Sequence, residues 1–303
     1  MDIYHILLTT DENFAQHCGV CMVSLLTNNP NRVFHITVTG LDLSLSTKTN
    51  LARCLDNFPN SILKFIDFPK EKLNYFPQIG QYHKNIYLRL WVDEFFDQNV
   101  DYVLYLDVDT LVVDTIDEMF HPQKTDFIIG AVDIPFADSH KRCHLPLEFG
   151  YFNSGVLLFN VQRWRTEHCR EQLLMFLIEN KDIALNPDQD ALNGVFYRQR
   201  LNLDYTYNVI TPFFRRYDYQ KLGSDELTRV RNEAKIIHFN GRARPWLYSC
   251  NHPYQHKYFD YLSLTPWHTF KPQDKSLYTL MKKRLRILLG KESFIHISDV
   301  KGM

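Results

Sequence analysis

Tyr102-Val103-Leu104-Tyr105-Leu106-Asp107-Val108-Asp109-Thr110 is the stretch on which the reading of this chain turns. An apolar run of strand length ends in two carboxylates at i and i+2. In an extended chain such side chains point to one face, so Asp107 and Asp109 are expected to converge. Convergent carboxylates offer hard oxygen donors to a divalent cation. Such a cation can bridge diphosphate oxygens and stabilise the charge of a departing nucleotide. The same residues would also serve as the solvated end of a strand. A haloacid-dehalogenase phosphatase likewise opens its nucleophile motif with D-x-D, but on an early strand and followed by Gly-Thr. Here Thr110 follows Asp109 directly and the motif lies a third of the way along the chain.

On either side of this stretch, strand-like and helix-like segments alternate. Tyr4–Leu8, Phe34–Thr39, Ile62–Phe68, Phe127–Val132 and Gly155–Phe159 are further candidate strands. Phe14–Leu26, Ser46–Phe58, Ile86–Phe96 and Val161–Glu179 have helical spacing. Alternating β and α elements imply a mostly parallel sheet covered by helices, with ligands beyond the carboxyl ends of the strands. The 303 residues, 45% of them hydrophobic, are enough for one large α/β domain with an appendage. A formal net charge of -1 gives no global reason to expect a nucleic-acid partner. Cys18 and Cys21 form a C-x-x-C, either a dithiol or two small residues one helical turn apart. The opening MDIYHILLTTDENF lacks a basic n-region and no run reaches bilayer-spanning length, so a soluble or peripheral intracellular protein is expected. From Lys275 to Lys291 there are six basic residues and no acidic one. Leu277, Met281, Leu285 and Leu288 share a helical face there, which suits either an anionic membrane surface or docking on the body.

Four more stretches carry polar groups where strands or helices begin or end. Thr9-Thr10-Asp11-Glu12-Asn13 follows the first strand; Asp11 or Asn13 can meet a nucleoside or cap the next helix. Gly150-Tyr151-Phe152-Asn153-Ser154-Gly155 places an amide, both donor and acceptor, before an apolar run. Asn186-Pro187-Asp188-Gln189-Asp190 opens a helix. Ile236-Ile237-His238 leads into Gly241-Arg242-Ala243-Arg244-Pro245-Trp246, an imidazole followed by two guanidiniums suited to phosphate.

Taken in order, these stretches resemble glycosyltransferase family 8, in particular its bacterial lipopolysaccharide hexosyltransferases, from the N-terminus to about Trp267. The resemblance implies an α/β GT-A domain over residues 1–267, followed by the basic amphipathic segment 268–303. It implies Mn²⁺, with Mg²⁺ as a substitute, on Asp107, Asp109 and His238. It places Thr9, Asp11, Asn13 and Val108 at uridine and ribose, and Arg89 at the donor sugar and diphosphate. Asn153, Asp188 and Gln189 would hold the sugar's hydroxyls, and Gly241 and Arg244 would close over the diphosphate. Arg244 stands where the family usually has Lys, with Arg242 nearby, so the phosphate role falls on one of the two; Leu247 replaces the usual His.

The implied reaction is retaining transfer from a UDP-hexose to a glycan or glycolipid, such as lipopolysaccharide or lipo-oligosaccharide. Gln189 matches the nucleophile position, flanked by Asp188 and Asp190, and a neutral amide there favours front-face attack over a covalent intermediate. A self-glucosylating enzyme resembling glycogenin, or a non-catalytic nucleotide-sugar-binding protein, are the alternatives.

Overall fold

The computed structural model describes residues 2–135, 137–216, 222–241, 244–289 and 293–300. Ten strands form among them: β1 (Ile3–Thr9), β2 (Val33–Gly40), β3 (Ile62–Asp67), β4 (Tyr102–Leu106), β5 (Thr110–Val112), β6 (Ile129–Asp133), β7 (Phe152–Asn160), β8 (Arg200–Asn202), β9 (Val209–Ile210) and β10 (Ile236–His238). Seven make one sheet in the order β3-β2-β1-β4-β7-β6-β8. Four of its six pairings are parallel; β7 runs antiparallel to both its neighbours. The expected mostly parallel α/β architecture is what forms.

Period-two alternation divides each central strand between two cores. Tyr4, Ile6 and Leu8 of β1 and Leu104 and Leu106 of β4 join one cluster with Val20, Cys21 and Leu25 of the helix Ala15–Asn28. Leu7, Val103 and Tyr105 join the other with Trp91, Phe95 and Trp164. Such two-sided burial is why these strands read as unbroken apolar runs. Cys18 and Cys21 are buried helix residues with free thiols, pushed up by burial, Cys21 to about 12. That is the small-residue reading of the C-x-x-C.

Two helical expectations need correction. Ile86–Phe96 is not one α-helix: a 3-10 segment spans Lys84–Trp91 and a single α turn follows at Val92–Phe95. The tight segment includes buried Arg89, whose tertiary bonds at the strand ends outweigh local helical spacing. Val161–Glu179 is two helices, Val161–Thr166 and Cys169–Glu179, separated at His168 with φ 50°. A left-handed residue ends a helix, and the bend lets Trp164, Leu173 and Leu177 all reach the core.

A second, three-stranded sheet, β5-β10-β9, was not expected from the sequence. β5 and β10 run antiparallel with Thr110 opposite His238. This register carries His238 to the end of the D-x-D segment. Towards the C-terminus, the helix Gln255–Leu262 packs on Ala15–Asn28, and the basic stretch forms the helix Leu277–Leu288. The chain then returns to the body: Ile295 N–H donates to the Phe214 carbonyl (2.9 Å) and Val300 is buried. Among the described residues no helix is long and apolar enough to cross a membrane.

Candidate active site

Asp107 leaves β4 with its amide bonded to the Gly155 carbonyl of β7 at 2.7 Å. The chain then turns: Thr110 N–H donates back to the Asp107 carbonyl at 3.1 Å, and Thr110 Oγ1 at 2.8 Å. The two carboxylates therefore converge through a turn and a shared partner, not through extended alternation. That partner is His238, whose Nε2 lies 3.2 Å from Asp109 Oδ1 and 3.8 Å from Asp107 Oδ2. One donor atom from each of the three lies within 4.8 Å of the others. Burial disfavours charge on His238, but the carboxylates overcome it and hold its pKa above the ordinary value. Burial raises the Asp109 carboxyl, and His238 more than reverses this, leaving it below the usual range.

The tautomer of His238 follows from a backbone amide. Gly155 N–H donates to Asn153 Oδ1 (3.0 Å), which fixes that atom as an acceptor. The atom of Asn208 that meets it at 2.8 Å is therefore Nδ2, so Asn208 Oδ1 faces His238 Nδ1 at 3.0 Å. Nδ1 therefore donates, so Nε2 is the nitrogen turned to the carboxylates, and it offers them and any cation a lone pair only when its own proton is lost. A carbonyl acceptor behind a ligating imidazole is how proteins orient metal ligands. A built Cβ on Gly155 would lie 2.2 Å from His238 Cε1 and 2.7 Å from Asp107 Oδ2. Only glycine permits this approach. One imidazole nitrogen and two carboxylates within mutual reach fit a divalent cation.

The same network continues into the Asn186–Asp190 stretch. Asn153 Nδ2 (3.1 Å) and Ser154 N–H (3.0 Å) donate to Gln189 Oε1, and Gln189 Nε2 donates to the Tyr151 hydroxyl at 3.0 Å. Tyr151 in turn donates to Asp190 Oδ1. Asp190 Oδ2 accepts from the amides of Leu185 (2.7 Å) and Asn186 (2.9 Å), so this buried carboxylate closes the turn ahead of the helix Pro187–Phe196. Asp188 is buried with its Oδ2 3.5 Å from Arg89 Nε. Burial raises the Asp188 carboxyl, against the pull of Arg89.

Arg89 links the two sets of carboxylates. NH2 lies 3.0 Å from Asp107 Oδ1, NH1 donates to the Ser154 carbonyl (2.8 Å), and the guanidinium lies over the Tyr105 ring at 4.3 Å. Tyr105 donates to Asp107 Oδ1 (2.6 Å) and lies 3.0 Å from Thr9 Oγ1. Thr9, Asp11, Arg89, Val108 and both D-x-D aspartates line one cavity of about 200 Å³. Asp11 also accepts from the amides of Asn13 (2.9 Å) and Phe14 (3.0 Å), the capping role read as its alternative. Asn13 is exposed and does not line the cavity.

On the far side, Gly241 has φ 76°, a conformation that favours glycine. Arg242 lies outside the described residues, while Arg244 is exposed. Trp246 stacks on His17 with centroids 3.8 Å apart and planes 24° apart. Burial drives His17 down to about 4, so it stacks as a neutral ring. Gln255 Nε2 donates to the carbonyls of Pro245 (3.0 Å) and Leu247 (2.6 Å) and fixes this loop from behind.

Tyr105, Asn208, Gly155 and His17 were not singled out from the sequence. Tyr105 was within reach, because it stands two residues before Asp107 on the same strand face. Asn208 carries no local signal; a tertiary contact alone gives it a role.

The model of the family described as Glycosyl transferase family 8 matches residues 5–250. General stress protein A of Bacillus subtilis (strain 168) is 28% identical over 277 residues, covering 88% of this chain and 96% of that protein. The lipopolysaccharide 1,2-glucosyltransferase of Escherichia coli is 24% identical over 317 residues, covering 99% and 92%. The crystal structure of the galactosyltransferase LgtC in complex with donor and acceptor sugar analogues superposes with a TM-score of 0.75 at 24% identity, over 89% of this chain and 98% of that one. That likeness shows the fold to be GT-A. The D-x-D turn, the register that brings His238 to it and the match over residues 5–250 lead to one assignment: the chain belongs to glycosyl transferase family 8.

Proposed function

We propose that this glycosyltransferase moves a hexose, galactose or glucose, from a UDP-sugar to a carbohydrate hydroxyl with retention of configuration. The observation that carries the reading is the Asp107–Asp109–His238 cluster at the rim of the cavity lined by Thr9, Asp11 and Arg89. The uridine and ribose lie in that cavity and the diphosphate lies over the cluster. Asp107, Asp109 and His238 would hold Mn²⁺, since a nitrogen ligand suits Mn²⁺ better than Mg²⁺. When bound, the cation supplies Lewis-acid neutralisation of the diphosphate.

The chain's own residues do the rest. Arg89 holds Asp107 and Asp188 in place at the donor sugar. Arg244, with Arg242 as the competing guanidinium, balances charge on the departing phosphate oxygens. Asn153, Asp188 and Gln189 orient the sugar. The C1–O bond to UDP breaks with its electron pair leaving on the phosphate. The acceptor oxygen bonds to C1 on the same face, and its proton passes to a phosphate oxygen of UDP. Gln189 Oε1 already accepts from Ser154 and Asn153, and Asp190 from two amides, which favours this route over a covalent adduct.

Lipopolysaccharide or lipo-oligosaccharide is the acceptor class best supported, because relatives named as lipopolysaccharide glucosyltransferases align over nearly the whole chain. The segment 268–303 would rest on an anionic membrane surface. Leu277, Met281, Leu285 and Leu288 are 79, 70, 55 and 83% exposed, an apolar face turned outward beside basic residues. Met281→Glu with Leu285→Glu should abolish co-sedimentation with anionic vesicles; undiminished binding would remove the membrane role.

The central test is turnover. Asp107→Asn or Asp109→Asn should lower Mn²⁺-dependent release of UDP from a UDP-hexose by about a hundredfold or more, with unchanged circular dichroism. Wild-type rates in both variants would dismiss the assignment, and UDP-sugar binding without turnover in the native protein would make it a binding protein.

A further inference from the structure

A second cavity, of about 440 Å³, lies between the helix Leu277–Leu288 and the loop that follows Trp246. Ser249, Asn251, Asp274, Lys282, Lys283 and Arg286 are among the residues that line it. Its charge is unbalanced. Three cations face one carboxylate, and Asp274 already uses Oδ1 for the Tyr248 amide (2.6 Å) and Oδ2 for the Ser249 amide (2.9 Å). Among the described residues, no carboxylate stands at ion-pair distance from Lys282, Lys283 or Arg286.

Lys283 is the informative member. It is half-buried, and its ammonium donates to the carbonyls of Tyr248 (3.1 Å) and Cys250 (2.8 Å). Those carbonyls and Gln255 Oε1 at 3.5 Å are neutral acceptors, and Asp274, which favours the charge, only partly offsets its burial. Burial lowers its pKa, the expected response of a cation held in such a place. Lys282 and Arg286 are exposed on the same helix, and among the described residues their side chains reach the cavity with no hydrogen-bond acceptor, Lys282 lying 5.8 Å from the Tyr278 ring centroid.

We propose that this cavity binds a phosphate ester. A tetrahedral phosphate, dianionic as a monoester or singly charged as a lipid phosphodiester, matches one mobile ammonium and one guanidinium fork, with Lys283 supplying a fixed positive charge behind them. Ser249, Thr279 and Asn251 offer neutral hydrogen-bonding groups for the alcohol moiety. The volume exceeds that of phosphate alone and admits an attached glycerol or sugar. The ester would come either from a free phosphorylated saccharide or glycerol, or from an anionic lipid headgroup. The site lies on the same loop as Arg244 and Trp246, because Lys283 and Asp274 together grip Tyr248 through Cys250. It stands independently of the donor chemistry, and its test needs neither metal nor UDP-sugar.

The probes are sn-glycerol 3-phosphate, followed by calorimetry, and phosphatidylglycerol vesicles against phosphatidylcholine vesicles, followed by sedimentation. The variant is Lys282→Gln with Arg286→Gln, both exposed and outside the transferase site. Arg284→Gln, on the same helix but not lining the cavity, is the control for diffuse charge. The double variant should bind about tenfold more weakly than the native chain, and the control should not. Loss in the glycerol phosphate arm assigns the site to a free ester, and loss only on phosphatidylglycerol assigns it to a lipid headgroup. Equal weakening by Arg284→Gln, undiminished binding by the double variant, or no binding of either probe by the native chain would overturn the proposal.

Discussion

Gly155 shows how much of the site's geometry rests on what is missing from one side chain. It gives its amide to Asn153, its carbonyl to Asp107, and its vacant Cβ position to the ring of His238. Alanine there would push the imidazole away from both carboxylates. Gly155→Ala is expected to destabilise the fold by about 1–3 kcal/mol, as overpacking does. It should also weaken Mn²⁺ binding by about ten- to a hundredfold, the range seen when ligand orientation is disturbed. Thermal unfolding and calorimetric titration with Mn²⁺ measure both, and native Mn²⁺ affinity would show that the ring can move without loss. Gln189, Asp188 and Asp190 stood together in the sequence but divide their work. Gln189 is held at both ends of its amide, Asp188 faces Arg89, and Asp190 caps a turn.

The small sheet and the loop after it do for the site what the large sheet cannot. β4 delivers two aspartates, and β10 delivers the third donor from 129 positions later, because Thr110 and His238 are paired across the antiparallel ladder. Beyond β10 the chain swings through Gly241 to Trp246, whose indole lies on His17 from the first helix of the large core. This stack anchors the loop that carries Arg244. Trp246→Ala should raise the KM for UDP-hexose about three- to tenfold through loss of one aromatic contact, with a smaller change in kcat. Initial rates over a donor series separate the two parameters; an unaltered KM would mean that the loop closes without its anchor.

The molecule as a whole buries titratable groups outside the Asp107–Asp109–His238 cluster, and His252 is the clearest. Its ring sits among Phe214, Phe239 and Phe294, and Nδ1 accepts the Tyr254 amide at 3.2 Å. Burial alone lowers its pKa from 6.5 to about 3. Unfolding releases a histidine that takes up a proton below pH 6.5, while the folded chain stays neutral there until about pH 3. Stability from this residue is therefore complete above pH 6.5 and declines as the pH falls toward 3. Between pH 7 and pH 5 the loss is about 2 kcal/mol. Denaturant unfolding at the two pH values should show it, and His252→Phe should flatten the dependence; an equal slope in the variant would place the acid sensitivity elsewhere.

The strands at the centre of the sheet were legible because two-sided burial writes an apolar run directly into the sequence. Tyr102–Leu106 forms as read, and Tyr4–Leu8 and Phe34–Thr39 lie within β1 and β2. The sequence by itself determined the α/β alternation, the positions of the polar residues at strand and helix ends, and the order of motifs that marks the family. Only the tertiary structure decided that the D-x-D pair converges through a turn, that Ile86–Phe96 divides between a 3-10 segment and a single α turn, that Asp190 closes a turn, and that His238 presents Nε2. Local patterns report what each segment buries. A site is assembled by long-range register and by hydrogen bonds between side chains distant in the chain, and neither leaves a periodic trace.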